Sequence, residues 1–316
     1  MKRVVCILLI AALAALSLAA CGEQSATEPA APQTEATDPA SSAQSAGELD
    51  LKAFIKAFDT APSLQETVLF ADAGVTVVAK GIEYDPINGP IVLIGVTNDS
   101  DRDMTVTGDT VVVNGFMMNA SFTVECSASK SAEGQLVLPY GKLAMSGISS
   151  IAKVELALLA AQADDAADPA NAVTAALTTS SENSGSTVND SGQTAYDGNN
   201  VRIVLKGVDE RRMYSDGPAL IVYMENAADK TVSIQTGDIK VNGYDFTSAM
   251  STDILPGKKA VDIVTFFDMD MQEYGISEID SVELSFKIID EAAWDTIAET
   301  GMITVDLGSD DSTQSE

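Results

Sequence analysis

The feature that most restricts this chain is that its second half repeats its first. Displaced by 128 positions, Gly89-Pro90 falls on Gly217-Pro218, Asn98 on Asn226, Asp101-Arg102 on Asp229-Lys230 and Val113-Asn114-Gly115 on Val241-Asn242-Gly243. The match runs on without a gap through Lys130 and Ala132 (Lys258 and Ala260), Gly147-Ile148-Ser149 (Gly275-Ile276-Ser277), Ile151 (Ile279) and Val154-Glu155-Leu156 (Val282-Glu283-Leu284). Upstream the displacement is 126, pairing Lys80-Gly81-Ile82 with Lys206-Gly207-Val208, so the second repeat carries two extra residues in the intervening loop. Turn residues and strand residues match in the same order, as two copies of one domain require. We expect one domain over 64–179 and a second over 196–308. The join at 180–195 is rich in Ser, Asn, Gly and Thr and reads as a flexible linker.

Inside each copy the pattern is β. Val75-Thr76-Val77-Val78-Ala79 and Val201-Arg202-Ile203-Val204-Leu205 alternate as strands do. Ile91 to Val96 and Ala219 to Met224 are nearly continuous apolar runs, suited to the middle of a sheet. Asn98 to Arg102, Asn226 to Lys230, Asn114-Gly115 and Asn242-Gly243 are turn signals, because Asn and Gly tolerate positive φ. Leu284 to Ile288 alternates, and Gly301 to Leu307 reads as a closing strand whose counterpart is Ala172 to Leu177. Ile151 to Asp165 has helical propensity, but its partner in the second copy reads as a strand, and the repeat decides for strand. Several short strands per copy, with turns at regular intervals, predict an all-β chain of two tandem immunoglobulin-like β-sandwiches.

The residues ahead of the repeat predict an exported, lipid-anchored protein. Lys2 and Arg3 precede an uncharged apolar run from Val4 to Ala20, too short for a comfortable membrane span and proportioned as a signal peptide core. It ends in Leu18-Ala19-Ala20-Cys21, small residues before a cysteine whose thiol would accept a diacylglyceryl group. We therefore read 1–20 as a lipoprotein signal peptide, cut before Cys21, which anchors the chain to a membrane outside the cytoplasm. Two acyl chains hold stably where one would not. Residues 21–47, the lipidated Cys and then Ala, Glu, Pro, Ser, Thr and Gln with no Lys or Arg, read as a disordered stalk. In 48–63, Leu51, Phe54, Ile55 and Phe58 fall at helical spacing, a short amphipathic lead-in whose apolar stripe packs on the first domain. The last residues, 309–316, are an acidic tail.

Composition narrows the chemistry. Removing Lys2 and Arg3 with the signal takes the formal net charge from -29 to -31, which repels nucleic acid and anionic head groups. The chain has no histidine, so the commonest general base and transition-metal ligand are missing. Of the three cysteines, Cys6 leaves with the signal and Cys21 is lipidated. Cys126 remains alone, with no disulfide partner, in the alternating run Ser121 to Cys126, and reads as a buried apolar side chain.

The matched residues also resemble a family. The immunoglobulin-like lipoprotein domains of unknown function found in clostridial and related Gram-positive bacteria open on a glycine-valine strand followed by lysine-glycine, as in Gly74-Val75 to Lys80-Gly81. They continue with a central apolar strand ending in Asn, a Val-Asn-Gly turn, a step like Pro256-Gly257-Lys258-Lys259, a Gly-Ile, and a late run like Trp294-Asp295-Thr296-Ile297. The second copy matches almost throughout. The first has Ala128-Ser129-Lys130-Ser131 at the lysine step and lacks the tryptophan. The resemblance implies the fold and an envelope location, and it carries over no catalytic or binding residue.

Asn98-Asp99-Ser100-Asp101-Arg102-Asp103 sets acids at alternate positions, but a calcium loop counted from Asp99 would need Gly and Glu where Met104 and Thr110 stand. A solvated turn is the preferred reading. Asp268-Met269-Asp270 with Glu273 has the same ambiguity in the second copy alone, so no metal and no non-covalent cofactor is expected. Asp209-Glu210-Arg211-Arg212-Met213-Tyr214, the longer loop of the second copy, reads as a solvated loop ahead of a protein contact. The functional expectation is a non-enzymatic binding or spacer module of the cell envelope, with an envelope protein or glycan as partner and no nucleic acid. The alternatives are a solute-binding lipoprotein of a transporter and a carboxylate-dependent hydrolase, for which no particular acid stands out.

Overall fold

A computed structural model describes residues 50–307 apart from 164–170, 184, 189, 211–214 and 216. The chain is all-β, with each repeat folded as a sandwich of two open sheets. The first repeat runs α1 (Leu51–Ala57), β1 (Thr67–Asp72), β2 (Val75–Asp85), β3 (Gly89–Asn98), β4 (Met104–Val113), β5 (Phe116–Met117), β6 (Phe122–Cys126), β7 (Lys130–Val137), α2 (Tyr140–Met145), β8 (Lys153–Gln162) and β9 (Val173–Thr178). The second runs β10 (Gln193–Gly198), β11 (Val201–Asp209), β12 (Ala219–Asn226), β13 (Val232–Val241), β14 (Tyr244–Asp245), β15 (Ser251–Ile254), β16 (Lys258–Thr265), α3 (Asp268–Glu273), β17 (Val282–Asp290), β18 (Thr296–Glu299) and β19 (Ile303–Thr304).

The two topologies coincide. In the first repeat, β1-β2-β3-β7 form one sheet and β6-β4-β8-β9 the other. In the second, β10-β11-β12-β16 face β15-β13-β17, with β18 and β19 pairing on the far side of β17. The chain crosses between sheets after β3, β6 and β7, and the corresponding crossings follow β12, β15 and β16. Pairing β7 with β3 and β8 with β4 closes a Greek-key sandwich of immunoglobulin-like type. Even the irregularities recur: bulges fall at Val68/Phe70 and Ala79/Gly81, and again at Thr194/Tyr196 and Leu205/Gly207.

The matched motifs prove to be the fixed points of this fold. Asn98 is fully buried at the end of β3. Its Nδ2 donates to the carbonyls of Arg102 (2.7 Å) and Cys126 (2.9 Å), and its Oδ1 accepts from Ser100 N (3.0 Å). Asn226 repeats this with Lys230, Ile254 and Ala228. A buried amide is costly unless its hydrogen bonds are made. Here it ties the turn to the end of β6 or β15. Asn114 donates to Ser150 O and accepts from Ala152 N and Lys153 N, while Asn242 donates to Glu278 O and accepts from Asp280 N and Ser281 N. Gly89 and Gly217 are required because a Cβ there would collide with the carbonyl oxygens of Leu138 and Phe266. That approach lets Leu138 N and Phe266 N donate to Pro90 O and Pro218 O, each at 2.8 Å.

Two expectations change. The segment 180–195 is no free linker. Ser180 N donates to Ser63 O (2.8 Å), Thr187 N to Gly147 O (3.0 Å), and the Ser186 hydroxyl to Ser146 O. Arg202 bridges to Asp190 at 3.0 Å, and β10 already begins at Gln193. Polar composition predicted flexibility, but its hydroxyls and amides find backbone partners. The closing strand expected over Gly301 to Leu307 is reduced to β19, with β18 ahead of it. Ile151 to Asp165 is strand where described, as the repeat required, and α1 forms with Asp50 as its cap and Phe58 buried against Tyr84 and Tyr140.

Candidate functional site

The two sandwiches meet at a joint that no single motif in the sequence marks. The Val113-Asn114-Gly115 turn of the first repeat brings Phe116 to the edge of β16, where Lys259 N donates to Gly115 O at 3.1 Å and β5 pairs parallel with β16. Phe116 belongs to an apolar cluster with Val204, Tyr223 and Val261 of the second repeat, while Val112 and Met117 join the second repeat's core. Burying a side chain of this size contributes about 2 kcal/mol.

Two ion pairs flank this contact. Lys142 of α2 reaches Asp262 of β16 at 3.2 Å, and Asp262 also accepts from the Thr252 hydroxyl at 2.7 Å. Lys142 is only 7% exposed. On the other side Lys258 meets Glu155 at 2.6 Å, and Lys153 reaches the same carboxylate at 2.9 Å. Burial acts to raise the Glu155 carboxyl, but hydrogen bonds from Lys258 and Lys153 outweigh it and hold it below the usual carboxylate range.

Between these anchors lies an open hollow. Its walls include Asn114, Gly115, Ser186, Asp190, Tyr223 and Lys259. Tyr223 is fully buried and its hydroxyl donates to Glu225 at 3.2 Å; burial first, and Glu225 second, push its ionisation upward. Asp190 is held low chiefly by the hydrogen bond from Arg202. Lys259 lies 3.8 Å from Glu225 and 6.0 Å from the centre of the Tyr223 ring. Charges here are paired with neighbours, and the hollow brings no nucleophile up against a base. The arrangement can hold a surface or a polar ligand.

The anchor residues Leu18, Ala19, Ala20 and Cys21 lie outside the described residues, as do Arg211 to Tyr214 of the longer loop. Cys126 is buried, its thiol donating to Lys130 O at 3.3 Å, and burial raises its pKa. The Asp99 to Asp103 segment is organised as a turn by Asn98, with Asp103 Oδ1 accepting from Ala128 N at 2.8 Å. Asp268 and Asp270 stand in the first turn of α3, where Asp270 accepts from Thr247 at 3.3 Å. Among the described residues no three His, Cys, Asp or Glu side chains come together as a metal site. Sequence reasoning missed the joint, although a signal was present: Tyr223 replaces Gly95, Asp262 replaces Gly134 and Lys142 faces Asp270 in the alignment of the copies.

No family model matches the chain, and no curated protein matches it. Among solved structures, the YadV chaperone is 11% identical, covers 68% of this chain and 92% of its own, and gives a TM-score of 0.23. The SafB chaperone in complex with the SafA pilin of Salmonella enterica is 11% identical over 68% of this chain and 88% of its own, at a TM-score of 0.19. The CupB2 chaperone of Pseudomonas aeruginosa is 10% identical over 68% of this chain and 90% of its own, also at 0.19. Superpositions this loose carry no argument about what the chain does.

Proposed function

We propose that this chain is a lipid-anchored, extracytoplasmic, non-enzymatic module of the cell envelope that presents a rigid two-sandwich body for binding or spacing. The observation that carries this reading is the joint. Phe116, Tyr223 and Val261 share a core, Lys142–Asp262 and Lys258–Glu155 bracket it, and the connecting segment is bonded along both repeats. A body welded in this way offers fixed surfaces, which binding and spacing need and which a flexible pair would lack. The sequence Leu18-Ala19-Ala20-Cys21 supports the anchor, and the absence of histidine supports a non-catalytic role. The likeness to clostridial-type lipoproteins belongs to this same reading.

The anchor is tested by expressing the full chain in a Gram-positive host with radiolabelled palmitate. Label and membrane retention that disappear in Cys21→Ser establish it; a protein that is unlabelled, or retained equally without Cys21, overturns it. The binding role is tested by passing the soluble chain over cell-wall glycan and envelope protein fractions. Retention of a defined component supports binding, and consistent failure leaves spacing.

A further inference from the structure

The α2 end of the first repeat is covered from several sides. The helix α1 lays Phe54 and Phe58 beside it, with Phe58 stacked edge-on to Tyr140 at 5.2 Å. The connecting segment closes on Ser146 and Gly147, and β16 meets Phe116 and Lys142. The matching end of the second repeat is bare. Tyr244 stands where Phe116 does, Tyr274 where Ser146 does, and Phe267 and Met269 flank α3 in place of Pro139 and Gly141. These four side chains are 47%, 37%, 48% and 76% exposed, and Tyr244 stacks on Tyr274 at 4.8 Å. Large apolar groups gathered on one face mark an interaction site more often than scattered ones do.

The rim of this face is acidic. Asp245, Asp270, Glu273, Glu278 and Asp280 surround the aromatic group, where the first repeat has Met117, Lys142, Met145, Ser150 and Ala152. The one segment seen to cover such an end, α1 of the first repeat, carries Leu51, Phe54, Ile55 and Phe58 on one face and Lys52 and Lys56 exposed on the other. The residues that follow Leu307 include no apolar side chain that could fill the face.

From these facts we infer that the α3 end of the second repeat is a docking surface for a short cationic amphipathic helix of another protein, with aromatic anchors four residues apart and lysines beside them. The aromatics supply the buried anchor, and the acidic rim selects positive charge and rejects the anionic segments that dominate this chain itself. The inference deepens the binding reading proposed above and depends on it.

The test uses a fluorescein-labelled peptide of residues 48–60 as a chemical mimic of the partner, added to the full soluble chain. Anisotropy is expected to report saturable binding that weakens at least about tenfold in a Met269→Gly/Tyr274→Ser chain, which carries the first repeat's own residues at those positions. A peptide with both Phe54 and Phe58 changed to Ala should lose binding to a similar extent, and raising the salt should weaken the rest. An unchanged melting temperature for the double variant shows that the fold is intact. If it melts early, Met269→Gln alone is read instead. The inference is overturned if the peptide fails to bind, if binding survives in both variants, or if the face serves instead in concentration-dependent self-association that Tyr274→Ser abolishes. A failed peptide with a retained envelope component removes this surface while leaving the wider binding role in place.

Discussion

The two repeats place the same asparagines in the same turns and the same glycines under the same carbonyls, yet they treat one end differently. In the first repeat that end is covered by α1, by the connecting segment and by β16. In the second it presents Tyr244, Phe267, Met269 and Tyr274 to solvent. The outer faces of their first sheets differ in the opposite sense. The first repeat has Lys80, Gly95 and Glu133 there, with Lys80 and Glu133 forming an exposed ion pair worth at most about 1 kcal/mol. The second has Val204, Tyr223 and Val261, packed against its neighbour. Duplicated folds thus keep their turn chemistry and change the surfaces through which they meet.

The largest expected effect tests the shared framework. Asn98→Ala and Asn226→Ala each leave two buried carbonyls without a donor, and each should cost about 3–5 kcal/mol in urea unfolding. Equal costs sharpen the equivalence, and a difference above about 1 kcal/mol would break it. Next comes the joint. Lys142→Ala strands Asp262 and should cost about 3 kcal/mol, whereas Asp270→Ala at the equivalent position should stay within about 0.5 kcal/mol. Lys142→Met combined with Asp262→Leu should recover most of the loss. Smaller still is the contrast between Gly147 and Gly275, whose φ values are +63° and +67°. Both alanine variants strain the backbone by about 1 kcal/mol. Only at Gly147 would the Cβ strike Val188 and Thr187, so Gly147→Ala should cost about 1 kcal/mol more and open the 183–191 segment to limited proteolysis. The smallest effect is acid loosening of the joint. Glu155 is held below its ordinary value, so its contribution is present above the unfolded carboxyl pKa, near 4.3, and is lost as pH falls through the lower folded value. A melting series from pH 6 to pH 3 should show Glu155→Gln flattening that loss by about 1 kcal/mol.

Much of this was legible in the sequence because turn chemistry is local. An Asn that ends an apolar run, or a Gly ahead of a Pro, announces its role through its neighbours, and a repeat doubles the signal. It also corrected propensity, since Glu155 to Ala161 is strand in spite of its Ala and Leu content. The joint was hidden because its partners are far apart in the chain: Lys142 and Asp262, or Phe116 and Tyr223, obey no spacing rule. The segment 180–195 misled because serine hydroxyls that would solvate a flexible chain bond equally well to nearby carbonyls, as Ser186 does to Ser146.

The position of α2 has a mechanical consequence. One side of it carries α1 and another meets β16, so the folded chain begins beside the seam between the sandwiches. A force drawn through Leu51 therefore loads a short series of contacts first: the edge-on rings of Phe58 and Tyr140, then the bonds of Asp59 to Ser149 and Ser150. These contacts break in succession at low force, while the long ladders of β2-β3 and β11-β12 take strain only afterwards. The lead-in helix acts as a mechanical fuse, yielding length under tension before either sandwich is pulled out of shape.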